Sequence, residues 1–334
     1  MAFSSDGSIF ASASRENIIT LLDTVTTGRV QTLVGHEGKI ICLAISSDGS
    51  LLASGSLDNN VKIWKIAKNV CIQTLEGHTG GIISVKFSPD CQRLASASTD
   101  LTIRIWDLAT TSSLVLKHPS YKPPTSIDFS GNGEILVSSS SYGTIKMWNT
   151  ISGDCMQTWQ HPKDNGDMFK SLTTTISPDG KTIASSSASC LKMWSDIDGK
   201  YECVQTLTHY HEYATKVVFS PDGRQLVSSS SAADTTDVWS FEDPPGSAAI
   251  CRTFKSDKSS FLTSAFSEIG SPVASELCLY GLDTTERWVT RNGHKILRLP
   301  DDIRPKITHG FAFMVHGRIV AILSASRRLI ILTF

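Results

Sequence analysis

Residues 77–107 read GHTGGIISVKFSPDCQRLASASTDLTIRIWD, and this stretch decides the fold because the chain repeats it. Residues 35–65, GHEGKIICLAISSDGSLLASGSLDNNVKIWK, carry the same order of Gly-His pair, turn and late Trp. Apolar and polar residues alternate with period two in segments such as 61–64, which is typical of β-strands. Short strands between regularly spaced turns predict an all-β chain.

The turn at Phe87-Ser88-Pro89-Asp90 has counterparts along the whole chain. Eight copies end at residues 7, 49, 91, 133, 180, 223, 270 and 317, with intervals of 42 to 47 residues. That period matches a four-stranded propeller blade. We therefore expect one domain over residues 1–334 with eight blade-like repeats, or seven as the alternative. The blade units are expected to start near residues 1, 37, 79, 121, 168, 211, 258 and 307.

The Gly-His, Phe-Ser-Pro-Asp-Gly and Ile-x-Ile-Trp-Asp motifs resemble those of the WD40 repeat family over essentially the whole chain. The resemblance implies a closed β-propeller, whose radial blades leave only short, protected sheet edges. It also implies that His, Ser, Asp and Trp at matching positions form a buried hydrogen-bonded tetrad within a blade. Two blades carry the full set, which comprises His36, Ser54, Asp58 and Trp64 in blade 2 and His78, Ser96, Asp100 and Trp106 in blade 3.

Ser, His and Asp are also the composition of a hydrolytic triad. Repetition favours a structural role, because a catalytic set is needed only once. The set is incomplete in other blades, where different residues stand at the Asp or Trp position. These are Tyr142 in blade 4, Ala188 in blade 5, Leu22 in blade 1 and Leu332 in blade 8, with Asp234 as a shifted counterpart in blade 6.

Both terminal blades are expected to be incomplete. The chain begins a few residues before its first turn and ends at Phe334, directly after a predicted third strand at 329–333. We interpret the chain as a fragment, or as a truncated gene model of a longer protein. An unpaired edge at such a blade predicts self-association.

The resemblance points to the narrow top face as the binding surface, where loops join the strands of a rigid scaffold. Aromatic, Met and cationic side chains in these loops are the types that interface centres favour. The partner is expected to be a protein or peptide. The candidate residues are Glu37, Lys39, Leu57, Thr79, Gly81, Thr99, Tyr121, Lys122, Ser141, Lys163, Met168, Phe169, Tyr210 and Tyr213.

Composition argues against several other classes of protein. The chain has 31 Lys+Arg and 32 Asp+Glu, so its formal charge of −1 gives no sign of nucleic-acid binding. Its apolar runs are much shorter than the roughly 18 residues of a membrane span. The eight cysteines form no C-x-x-C pair, which favours a reducing compartment, and we expect the cytoplasm.

Motifs for catalysis, cofactors and metals are lacking in the sequence. It contains no P-loop, H-E-x-x-H, G-x-S-x-G or dinucleotide fingerprint. The cluster at residues 209–212 falls where a Gly-His pair belongs, so we expect no metal there. We predict a protein that is not an enzyme and uses no cofactor.

Three functions from different classes remain open. Segments 288–293, 297–300, 303–305 and 319–334 are similar to the C-terminal end of fungal NACHT–WD40 proteins, which are NLR-like and related to heterokaryon incompatibility factors. That resemblance implies a ligand-sensing array. The alternative is a free-standing adaptor, for example in an organelle-fission, ubiquitin-ligase or signalling complex. A propeller enzyme of the quinoprotein or hydrolase type would need a unique acid, metal or cofactor cluster at the central channel.

Overall fold

The architecture consists almost entirely of β-strands, and the only helical element in the described residues is a 3-10 turn at Ile66–Lys68. After residue 250, the described residues are all strand residues. The computed structural model describes residues 2–14, 16–23, 30–118, 122–140, 143–161, 173–186, 190–208, 214–220, 222–230, 235–241, 250–255, 280–282, 288–291, 294–298, 312–316, 319–323 and 329–333.

The described strands form eight antiparallel sheets, each joining consecutive strands of the chain. Blades 1 to 3 contain β1 (Ala2–Phe3), β2 (Ile9–Ala13), β3 (Ile18–Asp23) and β4 (Val30–Val34); β5 (Ile40–Ile45), β6 (Leu51–Ser56), β7 (Val61–Lys65) and β8 (Val70–Leu75); and β9 (Ile82–Phe87), β10 (Arg93–Ser98), β11 (Thr102–Asp107) and β12 (Ser113–Lys117). Blades 4 to 6 contain β13 (Pro124–Phe129), β14 (Ile135–Ser140), β15 (Thr144–Asn149) and β16 (Cys155–Gln160); β17 (Thr173–Ile176), β18 (Thr182–Ser186), β19 (Cys190–Ile197) and β20 (Lys200–Thr208); and β21 (Ala214–Phe219), β22 (Gln225–Ser230), β23 (Thr235–Ser240) and β24 (Ile250–Lys255).

The last two sheets have three described strands each. They contain β25 (Tyr280–Leu282), β26 (Trp288–Arg291) and β27 (His294–Arg298), then β28 (Ala312–His316), β29 (Ile319–Leu323) and β30 (Leu329–Thr333). Blade 1 begins with the two-residue strand β1. The eight sheets of the described residues confirm an all-β propeller with eight blade-like repeats.

The hydrophobic core lies between consecutive blades rather than within one blade. The first strand of each sheet contacts the first strand of the next, from β1 through β21, so these strands lie innermost. Between blades 2 and 3, Ile63 and Leu75 pack with Phe87, Leu94 and Trp106, and all five are buried. Equivalent clusters join the other consecutive pairs from blade 1 to blade 6. Burial of both sheet faces explains why the strands are rich in branched apolar residues.

The repeated turn is closed by its Ser and Asp side chains. In blade 3, Ser88 Oγ donates to Asp90 Oδ1, and Ser88 Oγ also accepts from the backbone nitrogen of Arg93 at 2.9 Å. The last turn residue needs a positive φ, as at Gly49, where φ is 69°. Glycine adopts this region without strain. Cys91 occupies the same position with φ of 57°, so blade 3 accepts a non-glycine residue there.

The six cysteines whose side chains the structure describes are free thiols. They are Cys42, Cys71, Cys91, Cys155, Cys190 and Cys203.

No helix in the described part of the chain has the length and apolar character needed to cross a membrane.

Candidate functional site

Blade 3 contains a continuous chain of hydrogen bonds through four side chains. Trp106 Nε1 lies 2.8 Å from Ser96 Oγ, which lies 2.8 Å from His78 Nε2. His78 Nδ1 lies 2.7 Å from Asp100 Oδ2. The structure therefore brings together His78, Ser96, Asp100 and Trp106, from the loop before β9, from β10, from the β10–β11 turn and from β11.

Electrostatics fix the direction of this chain. Burial raises the pKa of Asp100, but hydrogen bonds from Thr102, His78 and Thr79 outweigh it and lower the pKa to about 2. Burial lowers the pKa of His78, so its ring is neutral near pH 7. A carboxylate accepts only, so Nδ1 of His78 carries the hydrogen and Nε2 accepts from Ser96 Oγ. Each polar atom in the chain thus has a partner of the right type.

Blade 2 repeats the arrangement. His36 Nδ1 lies 2.7 Å from Asp58 Oδ2, and His36 Nε2 lies 2.7 Å from Ser54 Oγ. Trp64 Nε1 donates to the same Ser54 oxygen at 2.8 Å. Burial lowers the pKa of His36. Burial raises the pKa of Asp58, but its hydrogen bonds, of which the one from His36 is the strongest, outweigh burial and lower the pKa.

Each tetrad aspartate also holds the loop that follows its histidine. Asp58 Oδ2 accepts from the backbone nitrogen of Glu37 at 3.1 Å, and Asp100 Oδ2 accepts from that of Thr79 at 2.9 Å. The loop lies tightly against the β10–β11 turn, because a Cβ built on Gly80 would lie 2.8 Å from the Asp100 nitrogen. The backbone conformation of the candidate binding loop is therefore coupled to the buried tetrad.

The predicted top-face residues of blades 2 and 3 form one continuous surface. Leu57 N donates to Lys39 O at 2.9 Å, and Thr99 N donates to Gly81 O at 2.9 Å. The Leu57 side chain crosses from blade 2 to blade 3 and lies over Gly81. We define the top surface as the five exposed members of this set, which are Glu37, Lys39, Leu57, Thr79 and Thr99.

Gly81 differs from the expectation of an exposed binding residue. It is buried, because the Leu57 side chain covers it. A Cβ at Gly81 would lie 2.7 Å from a methyl carbon of Leu57. Its role in the top surface is to leave room for Leu57.

The other predicted top-face residues lie mostly outside the described part of the chain. Lys122 is described, and it is exposed just before β13. Tyr121, Ser141, Lys163, Met168, Phe169, Tyr210 and Tyr213 lie outside the described residues, as do Tyr142, Ala188 and Asp234. The backbone of Leu332 is described within β30.

The sequence analysis missed two buried histidines at the entrances of blades 4 and 5. His118 follows β12 and His161 follows β16, where the chain enters blades 4 and 5, and both are buried. The Gly before the His is replaced, so the Gly-His pattern did not find them. The signal available was a His-Pro pair directly after an outer strand, at 118–119 and 161–162.

Blades 4, 5 and 6 retain the Trp–Ser part of the tetrad. Trp148 donates to Ser138 at 2.9 Å and Trp194 to Ser185 at 3.0 Å. Trp239 donates to Ser228 at 3.3 Å. The pKa of His118 falls to about 4, first because of burial and then because of the positive charge of Lys146.

Chemistry at the tetrads is restricted by burial. Ser54 and Ser96 are fully buried, and each oxygen already bonds to a Trp and a His. A nucleophilic serine must reach a substrate carbonyl, which these two serines cannot do. In the described part of the chain, no group of three His, Cys, Asp or Glu side chains is placed to hold a metal ion.

Consecutive four-stranded blades joined by interblade cores and stabilised by buried His-Ser-Asp-Trp tetrads define a WD-type β-propeller. The family model described as the IFT122 first β-propeller matches residues 1–170, and that of the WD domain, G-beta repeat, matches residues 201–240. The chain therefore belongs to the WD40-repeat β-propeller family, and its first half matches the IFT122 first-propeller type. No curated protein matches the chain.

Proposed function

We propose that this chain is a non-catalytic platform that binds a protein or peptide partner through the top surface. The observation that supports this best is the coupling of exposed loop residues to buried tetrads. Asp58 and Asp100 each hold a histidine and the loop beyond it at the same time. A loop held in one conformation loses little entropy on binding, which favours recognition.

The top surface combines an apolar anchor with charge. Leu57 is 53 % exposed although it is a large apolar residue. Glu37 and Lys39 lie beside it in the loop whose backbone pairs with Leu57. We infer a partner segment that places an apolar side chain against Leu57 and polar or charged groups near Glu37 and Lys39.

The remaining candidates extend the same proposal to the entrances of blades 4 to 6. Lys122 is the described member of that group, and it is exposed. Aromatic and cationic residues at 121, 163, 169, 210 and 213 have the chemistry of interface centres. The partner would then contact several blades, as a platform requires.

The finer proposal is that this propeller is the ligand-sensing array of a fungal NLR-like protein acting in the cytoplasm. Its support is the similarity of segments such as 288–293 and 319–334 to NACHT–WD40 proteins. The alternative is a free-standing adaptor. Sequencing the transcript through the Met1 codon separates the two, because a sensor predicts an open frame that continues upstream into a P-loop domain. A stop codon in frame just upstream favours the adaptor.

We also propose self-association through the terminal blades, where the repeat pattern of the sequence predicts an unpaired strand edge. Unpaired strand edges bind other strands. Size-exclusion chromatography with light scattering should show a dimer or larger species at micromolar concentration. A single monomer peak at all concentrations contradicts this part of the proposal.

The binding proposal is tested with two matched substitutions in blade 2. Leu57→Arg changes the top surface, and Ile72→Arg changes a residue that is 51 % exposed on the outer strand β8. Each variant and the wild type are used as bait in extract from the source organism, and captured proteins are quantified by mass spectrometry. We expect a partner that Ile72→Arg retains and Leu57→Arg loses by about tenfold, as for an interface anchor.

Direct titration of that partner against the purified variants completes the test. Circular dichroism and thermal melting verify that both variants are folded. If every partner binds the Leu57→Arg protein as well as it binds the wild type, the top surface of blades 2 and 3 is not the binding site.

A further inference from the structure

Lys146 in β15 is a buried cation whose ammonium faces a cysteine. Its residue exposure is 8 %, and its Nζ lies 5.0 Å from the centre of the Trp148 ring. The Nζ donates to Cys155 Sγ at 3.6 Å. Cys155 itself is exposed, at the start of the outer strand β16. A peroxide-sized molecule in solvent can therefore reach the sulfur, while the ammonium approaches it from the protein side.

Lys146 has no ionic partner in the described part of the chain. The ion pairs there involve other residues, and none places a carboxylate within 4 Å of Lys146 Nζ. A buried ammonium without a counter-charge is costly, and the face of Trp148 compensates for it only in part. An anion at the position of the Cys155 sulfur would supply the missing charge.

We propose that Cys155 is an oxidation site for hydrogen peroxide and that its sulfinate product pairs with Lys146. This site lies on the outer strand and does not depend on partner binding at the top surface. Sulfinate is a stable anion with two acceptor oxygens, which suits an ammonium. Cys155 is exposed, and the other polar neighbours of its sulfur are Thr158 Oγ1 at 3.4 Å and Gln157 O at 3.6 Å.

Two successive oxidations give this product. The sulfur of Cys155 attacks one peroxide oxygen, so that an S–O bond forms and the O–O bond breaks. The departing hydroxide takes the thiol proton and leaves as water, and Cys155 becomes a sulfenic acid. A second peroxide repeats the step and gives the sulfinic acid, which loses its proton to solvent. The Lys146 ammonium stabilises the negative charge that develops on each departing hydroxide.

The chain contains two cysteines that serve as internal controls. Cys71 and Cys203 are exposed and start the same C-x-Q-T sequence on the outer strands β8 and β20. All three strands have a register shift just after the cysteine. In blade 2, Lys62 stands at the position of Lys146, but its Nζ donates to Thr74 Oγ1 at 2.9 Å rather than to the sulfur of Cys71. Only the Cys155 sulfur, among these three, accepts from a lysine ammonium.

The test is oxidation of the reduced, full-length wild-type protein by hydrogen peroxide. Samples are digested at several times, and the unmodified, sulfenic and sulfinic forms of each cysteine are quantified by mass spectrometry, with dimedone to trap sulfenic acid. We expect Cys155 to oxidise at least roughly threefold faster than Cys71 and Cys203. This factor corresponds to the interaction free energy of a partly exposed charge pair. Equal rates at the three cysteines overturn the proposal, and this comparison requires no variant.

Matched substitutions then isolate the ammonium. Lys146→Met keeps an apolar stem over Trp148 and removes the charge, and Lys62→Met is the equivalent change in blade 2. We expect Lys146→Met to slow oxidation of Cys155 to the rate of Cys71, whereas Lys62→Met leaves Cys155 unchanged. Lys146→Arg, which keeps a cation, should restore part of the rate. Rapid oxidation of Cys155 in a folded Lys146→Met protein contradicts the assignment.

Discussion

Asp100 accepts a hydrogen bond from His78 through the same carboxylate oxygen that holds the backbone nitrogen of Thr79, at 2.7 and 2.9 Å. One side chain thus ends the buried tetrad of blade 3 and begins the top surface. Because both contacts use Oδ2, removing the carboxylate affects the core of the blade and the candidate binding loop together. The stability of the tetrad and the affinity for a partner should therefore change in parallel at this residue.

Asp100→Ala should reduce the free energy of unfolding by about 1–3 kcal/mol, because His78 Nδ1 and the Thr79 nitrogen lose their acceptor. The measurement is chemical denaturation followed by Trp fluorescence at pH 7. Glu76→Ala is the control, since Glu76 is an exposed carboxylate two residues before His78. An Asp100→Ala midpoint equal to that of Glu76→Ala would show that the tetrad adds little stability.

The contribution of Asp100 to the free energy of unfolding should disappear in acid. The pKa of Asp100 is about 2 in the folded chain, against an ordinary value of 3.8. A depressed pKa stabilises the folded state above the ordinary value, and that stability is lost as the pH falls from about 4 to 2. The difference between wild type and Asp100→Ala should thus be constant above pH 5 and shrink below pH 4. Denaturation series at pH 3, 4, 5 and 7 measure it.

His118 predicts a second pH dependence in a higher range. Burial and Lys146 hold its pKa at about 4, against an ordinary value of 6.5. Between pH 6.5 and 4 the unfolded chain binds a proton that folded His118 does not, so the free energy of unfolding falls as the pH falls. His118→Gln should reduce this slope by up to about 1.4 kcal/mol per pH unit. Lys122→Gln is the control, and an unchanged slope in His118→Gln would refute the assignment.

Gly80→Ala should destabilise blade 3 by about 1–3 kcal/mol, the usual cost of forcing an extra carbon into a packed site. Its Cβ would approach the Asp100 nitrogen to 2.8 Å and would also meet Thr99 Oγ1. Thermal melting of Gly80→Ala and Thr79→Ala compares adjacent positions in one loop. The Thr79 side chain is exposed, and Thr79→Ala should melt like the wild type. Similar melting temperatures for both variants would contradict the tight packing of this loop.

Gln157 joins blades 4 and 5 by pairing with a backbone. Its Nε2 donates to Tyr201 O at 2.9 Å, and its Oε1 accepts from Tyr201 N at 3.1 Å. Gln157→Ala should cost about 1–2 kcal/mol, because the Tyr201 nitrogen is left without this acceptor. Gln73→Ala changes the same repeat position in blade 2, where the side chain makes no such bond in the described residues. Equal denaturation midpoints for the two variants would argue against this link between blades.

Much of the fold could be predicted because each strand is a local pattern. Alternation at 61–64 and the recurring turn at 87–90 predict strands near those that are observed, and the period predicts four-stranded blades. The two complete tetrads could also be predicted from the sequence, since their residues recur at fixed spacing. His118 and His161 were not, because their neighbours differ from Gly-His and only the strand ends before them mark their position.

The sequence by itself determined the all-β class, the repeat length and the residue types of both tetrads, because period and turn chemistry are local properties of the chain. The tertiary structure decided which repeats contact each other and which surfaces remain exposed to solvent. Leu57 covers Gly81 in the next blade, Gln157 pairs with Tyr201, and Lys146 turns its charge toward Cys155. These relationships join residues up to 44 positions apart. The first two depend on how sheets pack side by side, and the third depends on how β15 pairs with β16 within one sheet, which no local pattern specifies.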